Sequence, residues 1–147
     1  MDSDGMMINM AKNLRVLVVD DMKTTREFLA ESLRELGVRD LKTTSNGQEA
    51  LEVLQNGETD LVISDLHMPE MDGIELYRRM KKCDRLGKAQ FVLATSDNTL
   101  AELPVEYRVG GHRMLRKPYT SESLRTCLDE AEHRRSIDAD ATTRPVM

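Results

Sequence analysis

Apolar residues in this chain follow two alternating rhythms. Short, nearly unbroken runs at Leu14–Val19 (LRVLVV), Leu61–Ser64 and Phe91–Ala94 have the length and β-branched content of strands buried on both faces. Leu41–Thr44 and His112–Leu115 are weaker runs of the same kind. Between them the spacing changes to that of helices. Thr24–Leu36 carries Thr25, Phe28, Leu29, Leu33 and Leu36 on one face, with Gly37 as a stop. Gln48–Gln55 turns Ala50, Leu51 and Leu54 inward, and Ile74–Lys82 does so with Ile74, Tyr77 and Met80. Ser121–Glu132, with Ser121 as its cap, carries Leu124, Cys127, Leu128 and Ala131.

Five short strands alternating with helices predict an α/β fold, a doubly wound parallel sheet covered on both faces. Met1–Lys12 reads as a flexible lead, residues 13–133 as the folded domain, and 134–147 as a disordered tail without period. No room for an effector domain is expected. One helix is anomalous. Pro104 falls where the fourth should run, and proline removes an N–H donor and disfavours helix at Leu103. The prediction is a helix that starts late, near Pro104, or is short and mobile before Gly110–Gly111.

Composition narrows the partners. A net charge of −5 and a pI near 5.3 argue against a basic nucleic-acid face. No apolar run is long enough to span a membrane, and the lead carries Asp2 and Asp4 in place of a signal peptide's apolar segment. A cytoplasmic address is expected. Cys83 and Cys127 each fall on the apolar face of a predicted helix and read as small buried hydrophobes.

The chemistry comes from where the strands end. Right-handed crossovers put every strand's carboxyl end on one edge, the edge where open α/β sheets bind ligands. Asp20, Asp21, Asp65, Thr95, Ser96 and Lys117 follow the ends of four different strands, so this fold collects them. Each alone reads as ordinary turn chemistry, a cap or a surface charge. Together they are a pocket. Three converging carboxylates need a cation or a proton, and all-oxygen ligands suit Mg²⁺. A lysine, a hydroxyl and a backbone amide can neutralise and orient a transferring phosphoryl group. Asp65 is the best candidate nucleophile, because Asp20 and Asp21 remain free to hold the metal. The imidazole of His67 is expected to face solvent near the pocket mouth.

The segments VLVVDD, VISDLHMPEMDG, VLATS and LRKPYT resemble the four signatures of two-component response-regulator receiver domains, particularly the CheY-like chemotaxis type. The similarity runs from about Asn13 to Glu132. It implies a five-stranded sheet of order 2-1-3-4-5. It also implies Asp65 as phosphoacceptor, Asp21 as direct Mg²⁺ ligand, Asp20 as a ligand through water, and the His67 carbonyl as backbone ligand. Thr95 resembles the switch hydroxyl, Ser96 the small residue that admits phosphate, and Lys117 the lysine that pairs with phosphoryl oxygens, commonly before a cis proline. The resemblance further implies a phosphohistidine donor, on a sensor histidine kinase or a histidine phosphotransfer protein, and a downstream protein that the sequence does not name. A stand-alone regulator or phosphate sink is the leading expectation.

One position departs from the family pattern. The switch normally couples the threonine to an aromatic residue three positions before the lysine; here that residue is Met114, so an aromatic rotamer flip at that site is not the readout. Two rivals follow. A phosphorylation-independent scaffold is kept open by Met114 and Pro104, while the intact Asp65, Asp21 and Lys117 argue against it. An aspartyl-phosphate phosphatase is disfavoured by His67 standing two residues after Asp65, where such enzymes place a second acid.

Overall fold

The computed structural model describes residues 13–83, 86–96, 103–109 and 113–143. Five strands, β1 (Arg15–Val19), β2 (Asp40–Thr44), β3 (Leu61–Asp65), β4 (Gln90–Thr95) and β5 (Arg113–Arg116), form one parallel sheet in the order β2-β1-β3-β4-β5. The helices are α1 (Lys23–Glu35), α2 (Gly47–Gln55), α3 (Gly73–Lys81), α4 (Val105–Val109) and α5 (Ser121–Thr143), with a single 3₁₀ turn at Leu86–Lys88. This is the doubly wound fold and strand order expected.

The strands' two-residue period divides the core into two layers. Val16, Val18, Leu61, Ile63, Val92 and Ala94 face one side and pack with Leu29, Leu33, Leu124 and Leu128 from α1 and α5. Leu17, Val19, Val62, Phe91 and Leu93 face the other, against Leu51 and Leu54 of α2, Leu76, Tyr77 and Met80 of α3, and Tyr107 of α4. Because both faces are covered, β3 is buried at every position.

Local chemistry sets the helix ends. Asn46 caps α2 by accepting the Glu49 N–H at 2.8 Å, while its own amide donates to the Glu49 carboxylate at 2.8 Å. Asp72 caps α3 by accepting the Glu75 N–H at 2.8 Å. Gly37, with φ of 105°, supplies the left-handed turn after α1. At α5 the cap is Thr120, not Ser121: its hydroxyl accepts the Ser123 N–H at 3.0 Å, and Ser121 is already helical. The fourth helix does start after Pro104 and has only five residues.

Three other expectations are corrected. The segment after His133 is not an irregular tail, since α5 continues to Thr143. Arg135 anchors the extension by donating to the carbonyl of Asn13, and the rest is mostly polar and helix-compatible. Phe28 is 58% exposed, because the buried stripe of α1 is Leu29, Ala30 and Leu33. Cys83 is exposed beyond the end of α3, whereas Cys127 is buried as expected. Met1–Lys12, Gly110–Gly111 and His112 lie outside the described residues. Among the described residues, no helix is long and apolar enough to cross a membrane.

Candidate functional site

β1 ends at Val19, and Asp20 is held rigidly where the chain leaves the sheet. Its N–H donates to the Thr44 carbonyl at 3.1 Å, and its carbonyl accepts from the Arg26 guanidinium at 2.8 Å. Its carboxylate accepts the Met22 N–H at 2.9 Å and is 2% exposed. Asp21, next in the chain, is exposed. Arg26 is a supporting residue that sequence reasoning missed; its place one turn into the helix after an Asp–Asp pair was the available signal.

Asp65 is the last residue of β3 and is 8% exposed. The loop after it is folded back tightly. The Leu66 N–H donates to the Ala94 carbonyl at 3.1 Å, and the Gly73 N–H to the Leu66 carbonyl at 2.9 Å. A Cβ on Gly73 would lie 2.5 Å from the Asp65 carbonyl oxygen, so only glycine fits there. The Asp72–Gly73 pair is thus turn and cap. His67 in this loop is exposed.

The two acids meet through Lys117, which follows β5 and is joined to Pro118 by a cis peptide bond. The Lys117 backbone N–H donates to the Thr95 carbonyl at 3.0 Å, tying the lysine loop to the end of β4. The Lys117 ammonium donates to Asp65 Oδ1 at 3.0 Å and lies 3.3 Å from Asp20 Oδ2. One carboxylate oxygen from each of Asp20, Asp21 and Asp65 lies within 4.8 Å of the others. Thr95 is 3% exposed at the end of the neighbouring strand. Ser96 is exposed and lines a hollow of about 470 Å³ with Thr24, Thr25, Phe28, Lys117, Pro118 and Tyr119. Met114 lies elsewhere, opposite Leu93 and packed against the aromatic side of the core.

Electrostatics follow from three clustered acids, two of which share the Lys117 ammonium. Burial pushes the Asp65 carboxyl above its ordinary value; the Lys117 ammonium opposes that shift, and Asp20 and Asp21 add to it. Burial likewise pushes the Tyr119 hydroxyl up, helped by the charges of Asp20 and Asp65. The donor set is all oxygen and carries excess negative charge beside a single ammonium, which fits a hard divalent ion such as Mg²⁺. A carboxylate poised against an ammonium, with a hydroxyl on the next strand, fits a site for a phosphoryl group.

The family model for the response regulator receiver domain matches residues 16–129. A probable chemotaxis protein CheY of Rhizobium etli is 29% identical over 122 residues, covering 83% of this chain and 95% of that protein. The chemotaxis protein CheY1 of Helicobacter pylori is 31% identical over 117 residues, covering 79% of this chain and 94% of that protein. Among solved structures, chemotaxis protein CheY4 of Vibrio cholerae, crystallised at low pH, superimposes with a TM-score of 0.73 at 27% identity. That match covers 80% of this chain and 98% of the other.

Proposed function

This chain belongs to the family of response regulator receiver domains, CheY-like signalling modules of two-component systems, and on that premise we propose that Asp65 is its phosphoacceptor. The donor is a phosphohistidine on a sensor histidine kinase or a histidine phosphotransfer protein. An Asp65 carboxylate oxygen attacks phosphorus, the N–P bond breaks, and its electron pair returns to the imidazole nitrogen, which takes up a proton. The product is an acyl phosphate.

The observation that carries this reading is the convergence of the Lys117 ammonium on Asp65 and Asp20, with Asp21 beside them. Asp20, Asp21, Asp65 and the His67 carbonyl would hold Mg²⁺, which when bound neutralises charge on the transferring oxygens. Lys117 pairs with a phosphoryl oxygen and keeps it near the acid. Thr95 offers its hydroxyl to another, and exposed Ser96 leaves room for the group to enter. Output is by contact with a downstream protein in the cytoplasm, in signalling of the chemotaxis kind, with neither nucleic acid nor membrane as partner.

The test is incubation with Mg²⁺ and acetyl phosphate. One acid-stable, base-labile phosphorylation is expected, at least 100-fold reduced in Asp65→Asn. Equal labelling of that variant would refute the assignment.

A further inference from the structure

The loop between β5 and α5 carries a tyrosine whose ring and hydroxyl have unlike surroundings. The Tyr119 ring, 8% exposed, packs into the core layer that holds Val18, Leu124 and Leu128. Packing there calls only for a ring. The hydroxyl is closed to solvent and has no hydrogen-bond partner among the described residues. A buried hydroxyl left in that condition destabilises a fold. Elsewhere this fold avoids it. The buried Ser64 hydroxyl donates to the Asp65 carbonyl at 2.9 Å. A Glu132 oxygen also lacks a hydrogen bond, but it faces the Arg135 guanidinium at 3.7 Å.

Tyr119 belongs to the phosphoryl site by position. It lines the hollow of about 470 Å³ with Ser96 and Lys117, and Lys117 in turn reaches Asp65 and Asp20. The charges of both acids act on its hydroxyl and, with burial, keep it protonated. It can therefore both donate and accept. Neither carboxylate takes it. Asp20 accepts the Met22 N–H at 2.9 Å and the Lys117 ammonium at 3.3 Å, and Asp65 accepts Lys117 at 3.0 Å. A group that lies near two carboxylates without bonding to them can be joined to them through one water. Mg²⁺ keeps several of its waters when one or two carboxylates bind it. Each such water is a strong donor in need of acceptors, and a neutral hydroxyl beside an acid supplies one without adding charge.

We propose that Tyr119 is a positioning residue of this centre: with Asp20 it holds a water of the hydrated Mg²⁺, the hydroxyl accepting one of that water's protons. This rests on the reading that Asp20, Asp21 and Asp65 hold the metal. The hydroxyl is then unsatisfied in the metal-free chain and satisfied in the loaded one. Tyr119 touches neither the ion nor the phosphoryl group. It acts by orienting the water, as outer partners do when they set metal affinity. Two effects of opposite sign follow from Tyr119→Phe. The metal-free chain gains stability, because an unpartnered polar atom is gone, and Mg²⁺ binds less tightly.

The experiment uses the full chain and Mg²⁺ alone, with affinity from titration calorimetry and metal-free stability from thermal unfolding in EDTA. Tyr119→Phe is expected to unfold about 3 °C above the unaltered protein in EDTA. It should bind Mg²⁺ about fivefold more weakly, the equivalent of one neutral hydrogen bond. Equal Mg²⁺ affinity in the two proteins overturns the proposal and leaves the metal site standing. An unfolding temperature in EDTA at or below that of the unaltered protein, or failure to fold, overturns it too, since the hydroxyl would then have a partner without metal. In the unaltered protein the ¹³Cζ resonance of Tyr119 should shift along the same Mg²⁺ titration. No shift there overturns the proposal without any variant. Absence of Mg²⁺ binding by the unaltered protein overturns the metal reading itself, and this proposal with it.

Discussion

Asp60 and Asp65 bracket one strand, and their surroundings have opposite consequences. Asp60 stands just before β3, at the amino edge of the sheet. Its carboxylate accepts the Arg15 backbone N–H at 2.8 Å and two guanidinium donors of Arg15 at 3.0 and 3.1 Å. Arg135 adds a second cation at 3.9 Å. Burial opposes ionisation of Asp60, but the Arg15 hydrogen bonds and charge, with Arg135, hold its carboxyl below the ordinary value of 3.8. At the carboxyl edge Asp65 shares one lysine with Asp20 while Asp21 adds a third acid, and its carboxyl is raised. The first aspartate is finished by the fold. The second is left with more negative charge than the protein neutralises, as expected of a site built for a cationic or phosphoryl partner.

The largest effect on stability belongs to the satisfied end. Asp60→Ala leaves the Arg15 guanidinium with its exposed partner Glu58 and takes the acceptor from its backbone N–H, at a cost of about 2 kcal/mol at pH 7. Paired urea unfolding curves measure it, and a loss below about 0.5 kcal/mol would erase the contrast. Labelling of Asp65 should continue in this variant.

The opposite sign is expected next. Asp65→Asn removes one of three crowded acids and should stabilise the folded chain by about 1 kcal/mol at pH 7, while abolishing phosphorylation. The pH dependences diverge as well. A raised folded pKa means the native state binds the Asp65 proton more tightly than the unfolded chain. Stability therefore falls as pH climbs from 3.8 to the raised value, and the advantage of Asp65→Asn opens over that interval and closes below it. Asp60 runs the other way: its contribution is complete above 3.8 and is lost as pH falls through its lowered folded value. Thermal unfolding of both variants between pH 3 and 7 separates the two trends. Added Mg²⁺ should stabilise the parent more than Asp65→Asn, narrowing the gap between them.

The carboxyl edge was legible in the sequence and the amino edge was not, for a physical reason. Strand ends are marked by the abrupt stop of an apolar run, so Asp20, Asp65, Thr95 and Lys117 could be assigned to one rim once the sheet was recognised as parallel. Asp60, Arg15 and Arg135 come from a strand start, a strand and a late helical turn, with no shared motif; only the folded register brings them together. The same limit explains Phe28. A periodic stripe tolerates one misplaced member, and Phe28 precedes Leu33 by five residues, about 140° round the helix. It lands beside Pro118 and Tyr119 at the pocket hollow, outside the core. Thr120 in place of Ser121 as the cap is a one-residue ambiguity between two adjacent hydroxyls. Met114 was readable as a departure, but the burial of Tyr107 was not, because it lies in the stretch that Pro104 made least regular.

The smallest expected effect tests whether the continuation of α5 belongs to the fold. Residues beyond His133 lack an apolar stripe, so nothing in their pattern required a helix. Arg135, about one-third exposed, ties the extension down: it donates to the Asn13 carbonyl and faces Glu132 at 3.7 Å and Asp60 at 3.9 Å. Ion pairs this exposed are weak, so Arg135→Ala should cost about 0.5 kcal/mol, and less in high salt. Its second consequence is local. Amides after Glu132 should exchange faster while those of β3 keep their protection, since the arginine fastens the helix to the sheet edge without supporting the core. If Arg135→Ala cost as much as Asp60→Ala, the second cation would share the neutralisation of Asp60 equally with Arg15. The amino edge would then be a three-residue cluster, with the helical extension as one of its structural members.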